Sequence, residues 1–415
     1  MDMPDQTIAA GSTAKLGNVS GDLKVGRKAT IVAESGRKVT VTGSAFFEGP
    51  ATIACDFECG KMRVEGKGFG PSGDVLVKGD LLAHGDLEID ASTEVVGTIT
   101  AERVDIGGHL KSKSVSSKDL RVGGHMDTRG TLKAGGVDIG GHLSVDEQVD
   151  ITSLRVGGHG EIGGGTIKGD IKIRGHFKSH SKLTFGTIQV YGHLALPAGS
   201  TGEKLTALGK VSLGGDVFCK GMEINGVAEA EGNCRAENLK VNGKLAVEGT
   251  LRVSEKLEVL GSAETQGVEC GTLTVGGKLA ADKISADGQA VLAGEVWTAR
   301  GLKAKEVAVG VGSRVDGPIV GDVVEVGKGM DIGGFWMQAS RWRSLGRMTK
   351  VDDVYGREVR VDRLSQIKKI YADTVRMQMG SMADEVNYTK EADVSEGVHL
   401  EKSPRKLERL PDAPL

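Results

Sequence analysis

Apolar and polar residues alternate in short runs along most of this chain, and the runs return about every 17 residues. Four successive units read LRVGGHMDTRGTLKAGG (120–136), VDIGGHLSVDEQVDITS (137–153), LRVGGHGEIGGGTIKGD (154–170) and IKIRGHFKSHSKLTFGT (171–187). Twelve consecutive units, starting at 104, 120, 137, 154, 171, 188, 205, 222, 239, 257, 273 and 290, keep this register within one residue. The first and third positions are apolar in every unit, from Val104 and Ile106 to Ala290 and Leu292, and the second is polar in all but one, which holds Val291. Period-two alternation predicts a strand with one buried face, because successive side chains point to opposite sides of the backbone.

The fifth position is Gly in all twelve units, at 108, 124, 141, 158, 175, 192, 209, 226, 243, 261, 277 and 294. Counted by parity it faces inward, where the missing side chain lets the backbone turn a corner or lie against the opposite wall. Apolar residues return at the seventh position in Leu110, Leu143, Phe177, Leu194 and Leu245, so the strand is expected to bend at the Gly and continue.

A unit of 17 residues is too short for a crossover helix; at ~3.3 Å per residue it spans roughly 56 Å, the perimeter of one coil. The fold predicted is therefore all-β, a single-stranded parallel β-helix (β-solenoid) whose coils pair at ~4.8 Å around a narrow dry column of Val, Ile and Leu. Residues 1–22 read as a lead-in and 23–332 as the solenoid, most regular over 87–326, with coils of variable length or loops through 44–86. A Trp- and Arg-rich insertion occupies 333–350, further solenoid coils follow over 351–400, and 401–415 is a charged tail with three Pro.

Composition agrees. The chain has 64 Gly in 415 residues but only 4% aromatics, which suits many corners and a thin core. A net charge of −3 argues against nucleic acid as the main partner, since phosphate binding needs a strong basic excess. No apolar run is long enough to span a bilayer and the start MDMPDQTIAA lacks the features of a signal peptide, so a soluble cytoplasmic protein is expected, with the inner membrane face as a second location. Five scattered Cys, at 55, 59, 219, 234 and 270, read as buried reduced thiols, and the pair 55/59 lacks the partners of a zinc site.

Two features stand out from the repeat. His109, His125, His142, His159, His176 and His193 occupy the sixth position of six consecutive units, on the outer face, where coil stacking would bring them into one ladder at ~4.8 Å. The plain reading is a solvated ladder copied by repeat duplication; partner contact and metal binding are the alternatives. The insertion holds Phe335, Trp336, Arg341, Trp342, Arg343 and Arg347, a combination that suits a cap over the solenoid flank, a protein hot spot or a membrane interface. The GG and GxG pieces are corner glycines, because a strand and not a helix follows each. No nucleophile or acid–base pair is evident, and neither catalytic residues nor a cofactor or metal site is expected.

The apolar-x-apolar-x-Gly coils over about 23–330, together with IYADTVRMQMGSMADEVNYTKEADVS (370–395) and SPRKLERLP (403–411), resemble the bactofilins, the polymer-forming cytoskeletal proteins, and look like a long archaeal-type member. The resemblance implies a right-handed, roughly triangular β-helix that polymerises end to end without nucleotide, with itself as main partner and a membrane surface or other scaffold proteins as further ones. The chain has more coils than a usual bactofilin core, and its insertion lies outside that pattern. The alternatives are a Gly-rich solenoid subunit of a larger enzyme complex, like the corresponding domain of glutamate synthase or the C subunit of formylmethanofuran dehydrogenase, and a β-helical transferase or lyase.

Overall fold

A computed structural model describes residues 6–65, 75–329 and 348–414. Its 38 strands are joined by turns and bends, with no helix among the described residues. The chain divides into two compact units, one of residues 1–203 with 209–211 and the other of 204–208 with 212–415. Each is a parallel β-solenoid, the fold class the alternation predicts.

In the first unit one inward column runs Ile8, Val25, Phe47, Val64, Ile89 and Ile106, each residue in register with the next. Its steps of 17, 22, 17, 25 and 17 residues show why 44–86 looks irregular in sequence. The coil period there is longer while the buried column continues. Beyond Val104 the pairing is nearly metronomic: Leu154 lies on Ile171 and Ile171 on Ile188, with Val156, Ile173 and Val190 parallel to them.

The second unit repeats the scheme, with Leu239, Leu257, Leu273 and Ala290 in one column. The same column continues from Ala290 through Val307, Val324, Val359 and Val375, with one step of 35 residues, the interval that contains the insertion. Arg405–Lys406 of the tail pairs with Asn387 and Tyr388. In both units the first and third residues of all twelve repeats are at most 3% exposed. This continuous apolar column is the main source of stability, and each coil draws it from its two neighbours.

The glycine column departs from the parity count. These glycines are half-buried and lie at bends, outside the apolar column. A Cβ added at Gly124, Gly141, Gly158, Gly175 or Gly192 would sit 1.9–2.1 Å from the carbonyl oxygen of the corresponding Gly one coil earlier. The same holds at 2.0 Å for Gly243, Gly261, Gly277 and Gly294 in the second unit. The missing side chain therefore points along the stack and not into the core. The bend resets the alternation, and that is why parity carried across it gives the wrong direction.

The same carbonyls bind the chain that follows. His125 N–H donates to Gly108 O at 3.1 Å, and His142, His159 and His176 N–H donate to the Gly of the preceding coil at 2.9 Å. At these glycines the corner is thus a backbone-to-backbone contact with room for hydrogen only. A compensation of another kind fills the core at the seventh position, where Gly160 replaces the usual Leu. Phe177 of the next coil reaches into the space, its Cδ2 3.1 Å from where a Gly160 Cβ would stand.

Candidate functional site

The corner just described sets the position of each ladder histidine: the Gly carbonyl fixes the His N–H, and the next residue turns inward to the core. His109, His125, His142, His159, His176 and His193 consequently stand in register on the outer face, half-buried to exposed. Their ring centroids are 4.5, 5.8, 5.1, 6.0 and 5.5 Å apart in chain order. Four of these contacts are stacked; the His159–His176 contact is tilted by 34°.

Mixed charge flanks the ladder. Two residues beyond it the register column is Lys111, Asp127, Ser144, Glu161, Lys178 and Ala195. On the other side of the Gly corner runs Asp105, Arg121, Asp138, Arg155 and Lys172. One carboxylate is tied directly to the ladder: Glu161 Oε1 lies 3.1 Å from His159 Nε2, and its Oε2 lies 3.3 Å from His180 Nε2. The hydrogen bond from His159, followed by that from His180, holds the Glu161 carboxyl below its ordinary range.

His180 belongs to the site although sequence reading left it out. It falls outside the repeated sixth position, and the register of Ile162 with Ser179 and the backbone bond from His180 N–H to Ile162 O at 2.8 Å bring it beside Glu161. A comparable arrangement occurs at Glu58, whose carboxyl is held low by hydrogen bonds from Lys38 and His84. Phe335, Trp336, Arg341, Trp342, Arg343 and Arg347 lie outside the described residues.

Three other surfaces carry polar side chains. A groove of about 930 Å³ in the second unit is lined by Arg235, Arg252, Lys283 and Arg300 together with Glu269 and Asp282, and Arg252 is paired to Glu269 at 2.8 Å. One of about 550 Å³ in the first unit contains Lys118, Lys133 and Lys168 with Glu102 and Asp150. Its Lys118–Glu102 and Lys168–Asp150 pairs, at 2.5 and 3.2 Å, already satisfy most of that charge. Past the insertion, Asp322, Arg357, Asp373 and Lys390 alternate in sign up successive coils, with Arg357–Asp322 at 2.7 Å and Lys390–Asp373 at 2.8 Å. Exposed pairs of this kind fix register more than they stabilise.

The five thiols are buried and unpaired. Burial pushes Cys59, Cys234 and Cys270 up to about 12 and raises Cys219 and Cys55 as well, so none is available as a thiolate nucleophile.

No protein-family model, no curated protein and no solved structure matches this chain.

Proposed function

We propose that this protein is a structural, self-assembling scaffold of the bactofilin kind, whose solenoids stack end to end into filaments without nucleotide. The observation that supports this reading is the register itself. Within each unit nearly identical coils lie on one another in parallel, apolar column on apolar column and Gly on Gly carbonyl, so the two edges of a coil are complementary to each other. Edges of that kind accept a coil from another copy by the same hydrogen bonds and the same burial that join coils within one chain. Among the described residues, Gln6–Ile8 pairs on one side only, with Leu23–Val25.

The proposed partner is the chain itself, in the cytoplasm, with a membrane surface or other scaffold proteins as secondary partners through the Trp- and Arg-rich insertion. No helix among the described residues is long and apolar enough to cross a membrane. Purified protein at modest salt, free of ATP and GTP, should form filaments visible by negative-stain microscopy. A monodisperse monomer across a wide range of concentration and salt would remove the proposal.

A further inference from the structure

The ladder spacing is uneven in a regular way. The distances alternate short, long, short, long, short, dividing the six rings into His109/His125 at 4.5 Å, His142/His159 at 5.1 Å and His176/His193 at 5.5 Å. The intervals between these pairs are 5.8 and 6.0 Å. Two imidazoles that share one metal ion, with metal–nitrogen bonds of ~2.0–2.1 Å at roughly right to tetrahedral angles, have centroids about 4.5–5.2 Å apart. The first two pairs already stand at that separation, and the third is close to it.

Only ring orientation has to change. The rings within the two closest pairs are nearly parallel, at 8° and 2°, so their lone pairs run side by side and must tilt to converge. For half-exposed imidazoles this is a rotation about a broad terminal torsion, while the backbone spacing is held by the Gly carbonyls. Imidazole is a donor suited to zinc, copper and nickel. The thiols that would compete for such ions are buried.

We propose that the histidine ladder binds divalent first-row transition-metal ions, one ion between the two imidazoles of each pair and three ions per chain. Among the described residues no group of three His, Cys, Asp or Glu is arranged to hold a metal ion, so each ion keeps water in its remaining positions. The pairs differ in their second neighbours. Lys111 and Asp127 stand in the column beside the first pair, Ser144 and Glu161 beside the second, and Lys178 and Ala195 beside the third. The second pair, whose neighbours are net negative, therefore fills first, and the third, whose neighbours are net positive, fills last. Binding uses the lone pair of neutral imidazole, so acid competes with the ion.

The test is calorimetric titration of the full chain with Zn²⁺, chelator-treated beforehand, alongside two double variants. Wild type should take up about three ions, one per pair. The variant His142→Gln/His159→Gln, which removes one whole pair, should take up about two. The variant His125→Gln/His142→Gln also removes two adjacent rings but breaks two pairs, and should take up about one. Equal losses in the two variants, or uptake that survives replacement of all six rings by Gln, would overturn the proposal. If a variant does not fold, wild type still decides the matter by diethylpyrocarbonate labelling read by mass spectrometry. Zn²⁺ should protect the six ladder rings and leave His84 and His399 reactive; no protection of the six would refute metal binding.

Discussion

Adjacent glycines at the corners should respond to the same substitution in opposite ways. Gly140 and Gly141 are consecutive, neither has a positive φ, and both lie at the surface bend. A Cβ on Gly140 would find its nearest neighbour at 3.8 Å, an ordinary contact. On Gly141 it would stand 2.0 Å from Gly124 O, 2.9 Å from Gly124 C and 3.0 Å from Gly123 O. These are backbone atoms, and Gly124 O also accepts from His142 N–H at 2.9 Å. Relief by more than 1 Å requires two coils to separate locally.

Overpacking of this kind costs about 1–3 kcal/mol, and weakening the corner hydrogen bond adds roughly 0.5–1.5 kcal/mol. Gly141→Ala should therefore destabilise by about 2–4 kcal/mol, whereas Gly140→Ala should be neutral or stabilise by up to ~1 kcal/mol through the unfolded chain. Urea unfolding followed by far-UV circular dichroism compares the two directly. Equal midpoints for the two variants would refute the steric account of the invariant column. Within the chain itself, the fourth position tolerates Arg174, Tyr191, Leu208 and Asn225, while the fifth is always Gly.

Ile173 is fully buried between Val156 and Val190, so Ile173→Asp leaves an unpaired charge in the dry column and should cost several kcal/mol, lowering the melting temperature and impairing assembly; a wild-type melting curve would contradict the column assignment. The Asp373 carboxyl is held below its ordinary value of 3.8 by hydrogen bonds from Lys390 and then Thr389. Its folded value lies below its unfolded one, so its contribution is complete above 3.8 and is lost as pH falls through the lower folded value. The stability gap between wild type and Asp373→Asn should accordingly narrow on acidification; because the pair is exposed the gap is small, and one that widens would be the wrong sign.

Much of the fold was legible because the coil repeats its chemistry: one strand pattern, read twelve times, gives the period, the buried columns and the outer position of the histidines. What escaped was whatever depends on the direction of the chain at a bend. Parity is valid only within an extended strand, so it assigns Gly141 to the core although its absent Cβ points along the stack. The long steps from Leu23 to Ala45 and from Met62 to Leu87 hide two coils whose apolar residues are in place but whose spacing departs from 17 residues.

The site divides along the same line. That His109 to His193 share a column follows from spacing, but their grouping into three pairs depends on ring orientation, which no pattern of letters encodes. Likewise the Glu161 contact with His180 joins positions 19 residues apart, off the repeat. The alternating column of Asp322, Arg357, Asp373 and Lys390 is concealed by the insertion, which sets its first two members 35 positions apart.

End-to-end stacking makes a directional demand on any filament: the coil spacing must lie along the filament axis. X-ray fibre diffraction from aligned, nucleotide-free filaments of the purified protein should show a strong reflection at ~4.8 Å on the meridian. Filaments with that reflection on the equator, or a protein that remains monomeric under all conditions tried, would contradict the account.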